Sequence, residues 1–100
     1  MKLEEAKKMC REIYTELKEI DITKEKETDG RFVPNDKYIM VSSLEQRLMK
    51  LKKIDGYSQR TLNEAWFEAW KGNREIFNVE NMYEHAINYI NSILNLKATA

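Results

Sequence analysis

Single copies of cysteine, histidine and proline, and only three glycines in one hundred residues, exclude several classes of protein at once. One cysteine cannot close an internal disulfide. One histidine and one cysteine, far apart in sequence, cannot supply the several ligands that a zinc ion needs. Gly30, Gly56 and Gly72 stand singly, so no glycine-rich loop is available to cradle phosphate. So little glycine and proline also argues against an all-β chain of tight turns. Seventeen basic residues against seventeen acidic ones give zero formal charge, without the Lys and Arg excess of a general nucleic-acid binder. No apolar run reaches membrane-spanning length, and the first residues lack the apolar core of a secretion signal. These absences lead to the expectation of a cytoplasmic protein with no membrane contact, no metal and no cofactor.

Catalytic chemistry is equally hard to assemble. A Ser-His-acid triad could form only around His85, and no nucleophile elbow frames one. His85 falls well off the apolar stripe of its helix. Cys10 falls on an apolar stripe and reads as a small buried hydrophobe, with no neighbouring histidine to activate it. The expectation is that the chain is not an enzyme.

What is present is helical periodicity. A hydrophobic share of 42% beside a charged share of 34% suits one small helical domain with a large solvated face. A chain of this mass buries roughly 65% of its unfolded surface, enough for one core without staples. Leu3, Ala6, Cys10, Ile13, Leu17 and Ile20 keep heptad spacing, which predicts a helix over about 2–19. Ser42 and Ser43 stand three residues before Glu45 and Gln46, the spacing of a capping box, which predicts a second helix over about 43–54. Ser58 as N-cap and Gly72 as the terminating glycine bracket a third helix over about 58–71. Leu62, Ala65, Trp66 and Ala69 form its apolar stripe, with Phe67 and Trp70 on opposite flanks. Asn78 caps a fourth helix over about 78–95, striped by Val79, Met82, Tyr83, Ala86, Ile87, Ile90, Ile93 and Leu94.

The prediction is an all-α bundle of four helices forming one domain over residues 1–100. Residues 21–31, charged and without an apolar run, read as a mobile loop. Residues 31–41 read as an irregular or short-hairpin strap around Pro34-Asn35-Asp36. Extending the second helix back to Asp36 would put Lys37 in the middle of the buried face and Ile39 off it, which favours the later start. Ile76 and Phe77 are expected to drop into the core.

Residues 48–71 resemble a DNA-binding helix-turn-helix: a helix, Asp55-Gly56 as the turn, then Ser58-Gln59-Arg60-Thr61-Leu62-Asn63 opening a second helix. The resemblance implies that Gln59, Arg60 and Asn63 face base edges and that Lys50 and Lys53 face phosphates. Lys52 replaces the motif's small residue, Asp55 its apolar one, and Glu64 and Glu68 would repel phosphate.

The primary functional expectation comes instead from aromatic surplus. Trp66, Phe67 and Trp70 fall within five residues, with Tyr57 at the preceding turn, more ring surface than one small bundle hides. Tyr57, Phe67 and Trp70 are therefore the candidate contacts of a stoichiometric protein-binding module, an inhibitor, antitoxin-like or immunity-like factor. The partner is another protein, or a second copy through the same surface as a homodimer, with DNA as the alternative. Abundant Lys, Asn, Ile and Glu fit an AT-rich source such as a mobile element.

Overall fold

A computed structural model describes residues 1–20, 36–76 and 78–97. The expected loop at 21–31, the first part of the strap at 31–35, and Phe77 lie outside the described residues. Four helices and no strand occur among the described residues, as the periodicity predicts. They are α1 (Leu3–Lys18), α2 (Asp36–Met49), α3 (Gln59–Glu68) and α4 (Val79–Leu94), with a 3₁₀ turn at Lys50–Lys52 extending α2.

The heptad residues of α1 turn inward as a set: Ala6, Cys10, Ile13 and Leu17 are fully buried and Ile20 nearly so. α4 packs against both α1 and α2 and is the central element of the bundle. Met82, Ala86, Tyr89, Ile90 and Ile93 carry its buried face, and the Tyr89 hydroxyl donates to the carbonyl of Leu51 at 3.2 Å. Burying a hydroxyl is tolerated because that hydrogen bond is made.

The expected start of α2 is corrected. The helix begins at Asp36, not near residue 43, so residues 36–41 are helical and are neither strap nor hairpin. The objection from periodicity describes the side chains correctly but not the backbone. Lys37 is half-buried and Ile39 is 56% exposed, yet the helix continues through both. A lysine stem can lie along apolar surface with its ammonium in water, so Lys37 does not break the face. The buried side of α2 is Val41, Leu44, Glu45 and Leu48. Ser42 and Ser43 are interior helical residues, so the proposed capping box does not exist.

Both other capping expectations hold. The Ser58 hydroxyl accepts from the Thr61 amide at 3.1 Å, and the Asn78 side chain accepts from the Asn81 amide at 3.1 Å. α3 ends at Glu68, earlier than expected, and the chain passes through two left-handed residues, Lys71 at φ 53° and Gly72 at φ 78°. Only the glycine takes that conformation without steric cost. Ile76 is 44% exposed and does not enter the core as anticipated, because this turn carries it out to the surface.

Candidate functional site

α3 is amphipathic, and its two sides supply different things. Leu62, Trp66 and Ala69 face the core. Phe67 projects away from it with 72% of its surface exposed. Trp70, one turn further on, is half-buried. Residues three apart on a helix are neighbours, so Phe67 and Trp70 lie on the same side and not on opposite flanks as expected. Tyr57 is not brought together with them. It precedes the other end of α3, some 15–20 Å away along the axis at the rise of a helix. Its hydroxyl donates to the carbonyl of Lys97, tying the turn before α3 to the chain beyond α4.

Behind Trp70 lies a buried polar cluster that the sequence reading missed. His85 is only 1% exposed, a correction to its expected place on the polar face of α4. Its Nδ1 lies 2.8 Å from both carboxylate oxygens of Glu45, and its Nε2 lies 2.9 Å from the carbonyl oxygen of Trp66. The Trp70 indole stacks on the imidazole, with centroids 3.8 Å apart and planes 15° from parallel. Trp66 meets the same ring edge-on at 4.3 Å and Tyr89 edge-on at 5.0 Å. The Lys52 ammonium sits 4.5 Å over the Trp66 ring, and the Asn88 amide donates to the carbonyl of Ala69 at 2.9 Å.

The physical reason for the missed histidine is a rotation of α4. The strongest apolar stripe centres on Ala86 and Ile90, whereas the buried face is turned towards His85 and Tyr89, where the two indoles pack. The spacing of Met82, His85, Tyr89 and Ile93 carries that signal, but only to a reader who lets a histidine and a tyrosine count as interior. Burial raises the Glu45 carboxyl above its ordinary range, while the His85 hydrogen bond, the His85 charge and the Lys52 charge pull the other way. With both ring nitrogens engaged and the ring covered, His85 has no free edge to offer a substrate.

The DNA-facing candidates are placed as follows. Lys50 and Lys53 are exposed. Arg60 has 88% of its side chain exposed and its Nε donates to Glu64 at 3.1 Å. The Gln59 amide donates to Asn63 at 3.2 Å. The residues that would read bases are therefore paired along the helix.

Among the described residues no group of three or more His, Cys, Asp or Glu is arranged to hold a metal ion, and no helix is long and apolar enough to cross a membrane. A recess of about 220 Å³ between the end of α1 and α4 is lined by Lys18, Tyr83, Glu84, Ile87 and Asn88, below the volume usual for small-molecule sites. The Cys10 thiol is buried, and burial pushes it up to about 12, which makes it a poor nucleophile. No family model, no curated protein and no solved structure matches this chain.

Proposed function

We propose that the chain is a non-enzymatic protein-binding module that acts stoichiometrically, as an inhibitor, antitoxin or immunity factor does, by covering a partner's surface with α3. One observation carries the reading: a phenylalanine 72% exposed, one turn from an indole fixed from behind by a buried network. A ring held rigid before binding loses little conformational freedom when a partner covers it, and aromatic anchors dominate interface energetics. Phe67 and Trp70 are the contacts. Tyr57 contributes by fixing the turn that leads into α3.

The test is affinity purification from the native host, followed by titration of the captured protein against variants. Phe67→Ala should weaken binding by at least 2 kcal/mol, about thirtyfold, while leaving the far-ultraviolet dichroism unchanged. A folded Trp70→Ala protein with undiminished affinity would remove the proposal. Self-association through the same face would appear as a concentration-dependent mass lost in Phe67→Ala.

A second reading, a small DNA-binding regulator, is favoured by the exposure of Arg60 at the start of α3. It uses Gln59, Arg60 and Asn63 on bases and Lys50 and Lys53 on phosphates. Against it stand the zero net charge and the Glu64 partner that Arg60 must abandon. Duplex binding that weakens steeply with added salt would revive it, and a flat response would end it.

A further inference from the structure

His85 is the chain's only histidine, and its ring joins three helices. It belongs to α4, meets Glu45 of α2 and the Trp66 carbonyl of α3, and supports Trp70 on one face. A carbonyl oxygen can only accept, so Nε2 carries a proton. An ionised carboxylate also only accepts, so the contact between Nδ1 and Glu45 requires one proton more. That proton sits either on Nδ1, giving imidazolium beside carboxylate, or on Glu45, giving a neutral ring beside a neutral acid. Both forms satisfy every hydrogen bond and leave the pair with zero net charge. Without the proton, lone pairs face each other across 2.8 Å and a negative charge is left buried without its partner.

We propose that this single shared proton keeps the Glu45–His85 pair closed and so seats Trp70, and that its loss frees the indole from the imidazole face. His85 is then a positioning residue for the α3 surface, and proton concentration regulates how rigidly that surface is presented. The consequence for binding rests on the protein-binding reading above; the seating of Trp70 does not.

Other ionisable groups come to this cluster from each neighbouring element. α2 supplies Glu45, and the 3₁₀ turn supplies Lys52, whose charge acts on Glu45 and whose ammonium lies over Trp66. α4 supplies Tyr89, in edge contact with Trp66, and α1 supplies Cys10, which acts on Tyr89. Burial pushes the Cys10 thiol up to about 12 and raises the Tyr89 phenol still further, so neither changes charge across the neutral range. The shared proton is left as the switch.

The experiment is nuclear magnetic resonance of the intact chain between about pH 5 and pH 9, the span in which histidine sites ordinarily switch. One histidine gives one pair of ring nitrogen signals, so assignment is unambiguous. The expected result is that the His85 signals and the Trp70 indole N–H signal move together with one midpoint. In a Trp66→Phe protein, acrylamide quenching of Trp70 should rise about twofold over the same step, as a half-covered ring becomes fully accessible. In Glu45→Gln an amide N–H donates to Nδ1, no proton is shared with a carboxylate, and Trp70 accessibility should stay flat. A ring that loses its proton without moving Trp70 overturns the proposal. So does a ring that keeps one state throughout, or a Glu45→Gln protein that keeps the wild-type response. Should either variant fail to fold, the wild-type signals decide alone. No partner is needed, so failure here leaves the binding reading standing, and failure of binding leaves the seat intact.

Discussion

α4 is held from two sides by different chemistry. On the α1 side lie Ala6, Cys10, Ile13, Leu17 and Ile20, buried and without a polar partner to satisfy beyond the thiol. Towards α2 and α3 lie Glu45, His85, Trp66, Trp70 and Tyr89, joined by hydrogen bonds and ring contacts. Apolar packing stabilises through area removed from water and accepts any side chain of the right volume. A buried ionic hydrogen bond adds little net stability when complete, yet costs several kcal/mol when one partner is removed. The first side supplies most of the cohesion, and the second fixes how α3 is oriented.

Removing one partner on the polar side should therefore give the largest effect. His85→Ala strands Glu45 beneath the surface and removes the support of Trp70, at an expected cost of about 3–5 kcal/mol in urea unfolding. On the apolar side, Ile13→Val should cost only about 1 kcal/mol, because the hydrocarbon around it relaxes over one lost methylene. If His85→Ala proves as mild as Ile13→Val, the polar cluster is open in solution and the contrast dissolves.

Acidity should sharpen the same contrast. Burial holds the Glu45 carboxyl above its ordinary value of 4.5, and the closed pair keeps its shared proton besides the one on Nε2, the same two protons that an unfolded carboxylate and imidazolium hold until a free imidazole deprotonates at about 6.5. Above that pH protons bound in the folded state exceed those bound in the unfolded state, and stability falls as pH rises from about 6.5 until the pair gives up its shared proton. Equilibrium unfolding at a series of pH values should show that slope in the wild type and its loss in Glu45→Gln. Ile13→Val should lower the whole profile without changing its shape. A Glu45→Gln profile parallel to the wild type would show that other groups set the slope.

The apolar side was legible in the sequence because heptad spacing needs no partner to be recognised: every core residue of α1 was read from it. The caps Ser58 and Asn78 were legible for the same reason, since each acts within three residues. The polar side was not: the misplaced start of α2 hides the demand made by Glu45, and the rotation of α4 hides His85. With α2 starting at Asp36, Glu45 shares a face with Val41, Leu44 and Leu48, and a carboxylate on a buried stripe demands a cation or a proton donor. Starting the helix near residue 43 made Glu45 a capping residue and removed the demand. His85 lies off the strongest apolar stripe of α4, so periodicity alone places it on the polar face. Pairing across 40 residues depends on how two helices are rotated against each other, which local periodicity does not encode. The exposure of Phe67 lies between these cases: the aromatic surplus was visible, but which ring would be left outside depended on Trp70 finding His85.

The smallest expected effect bears on that last point. Phe67 keeps 72% of its surface in water, so Phe67→Ala removes little burial and creates no cavity. Alanine is also the better helix former by up to about 0.5 kcal/mol, since an aromatic ring loses χ1 freedom against the preceding turn. The two terms nearly cancel, and the unfolding free energy should stay within about 0.5 kcal/mol of the wild type. Trp70→Ala differs because it uncovers the imidazole face that the indole shields, so it should destabilise the chain and alter the His85 ring signals as well. A loss above about 1 kcal/mol for Phe67→Ala would mean that the ring is already covered in the free protein, by a second copy or by part of the chain itself. Dilution separates those two cases, because only an intermolecular cover makes the unfolding midpoint depend on protein concentration.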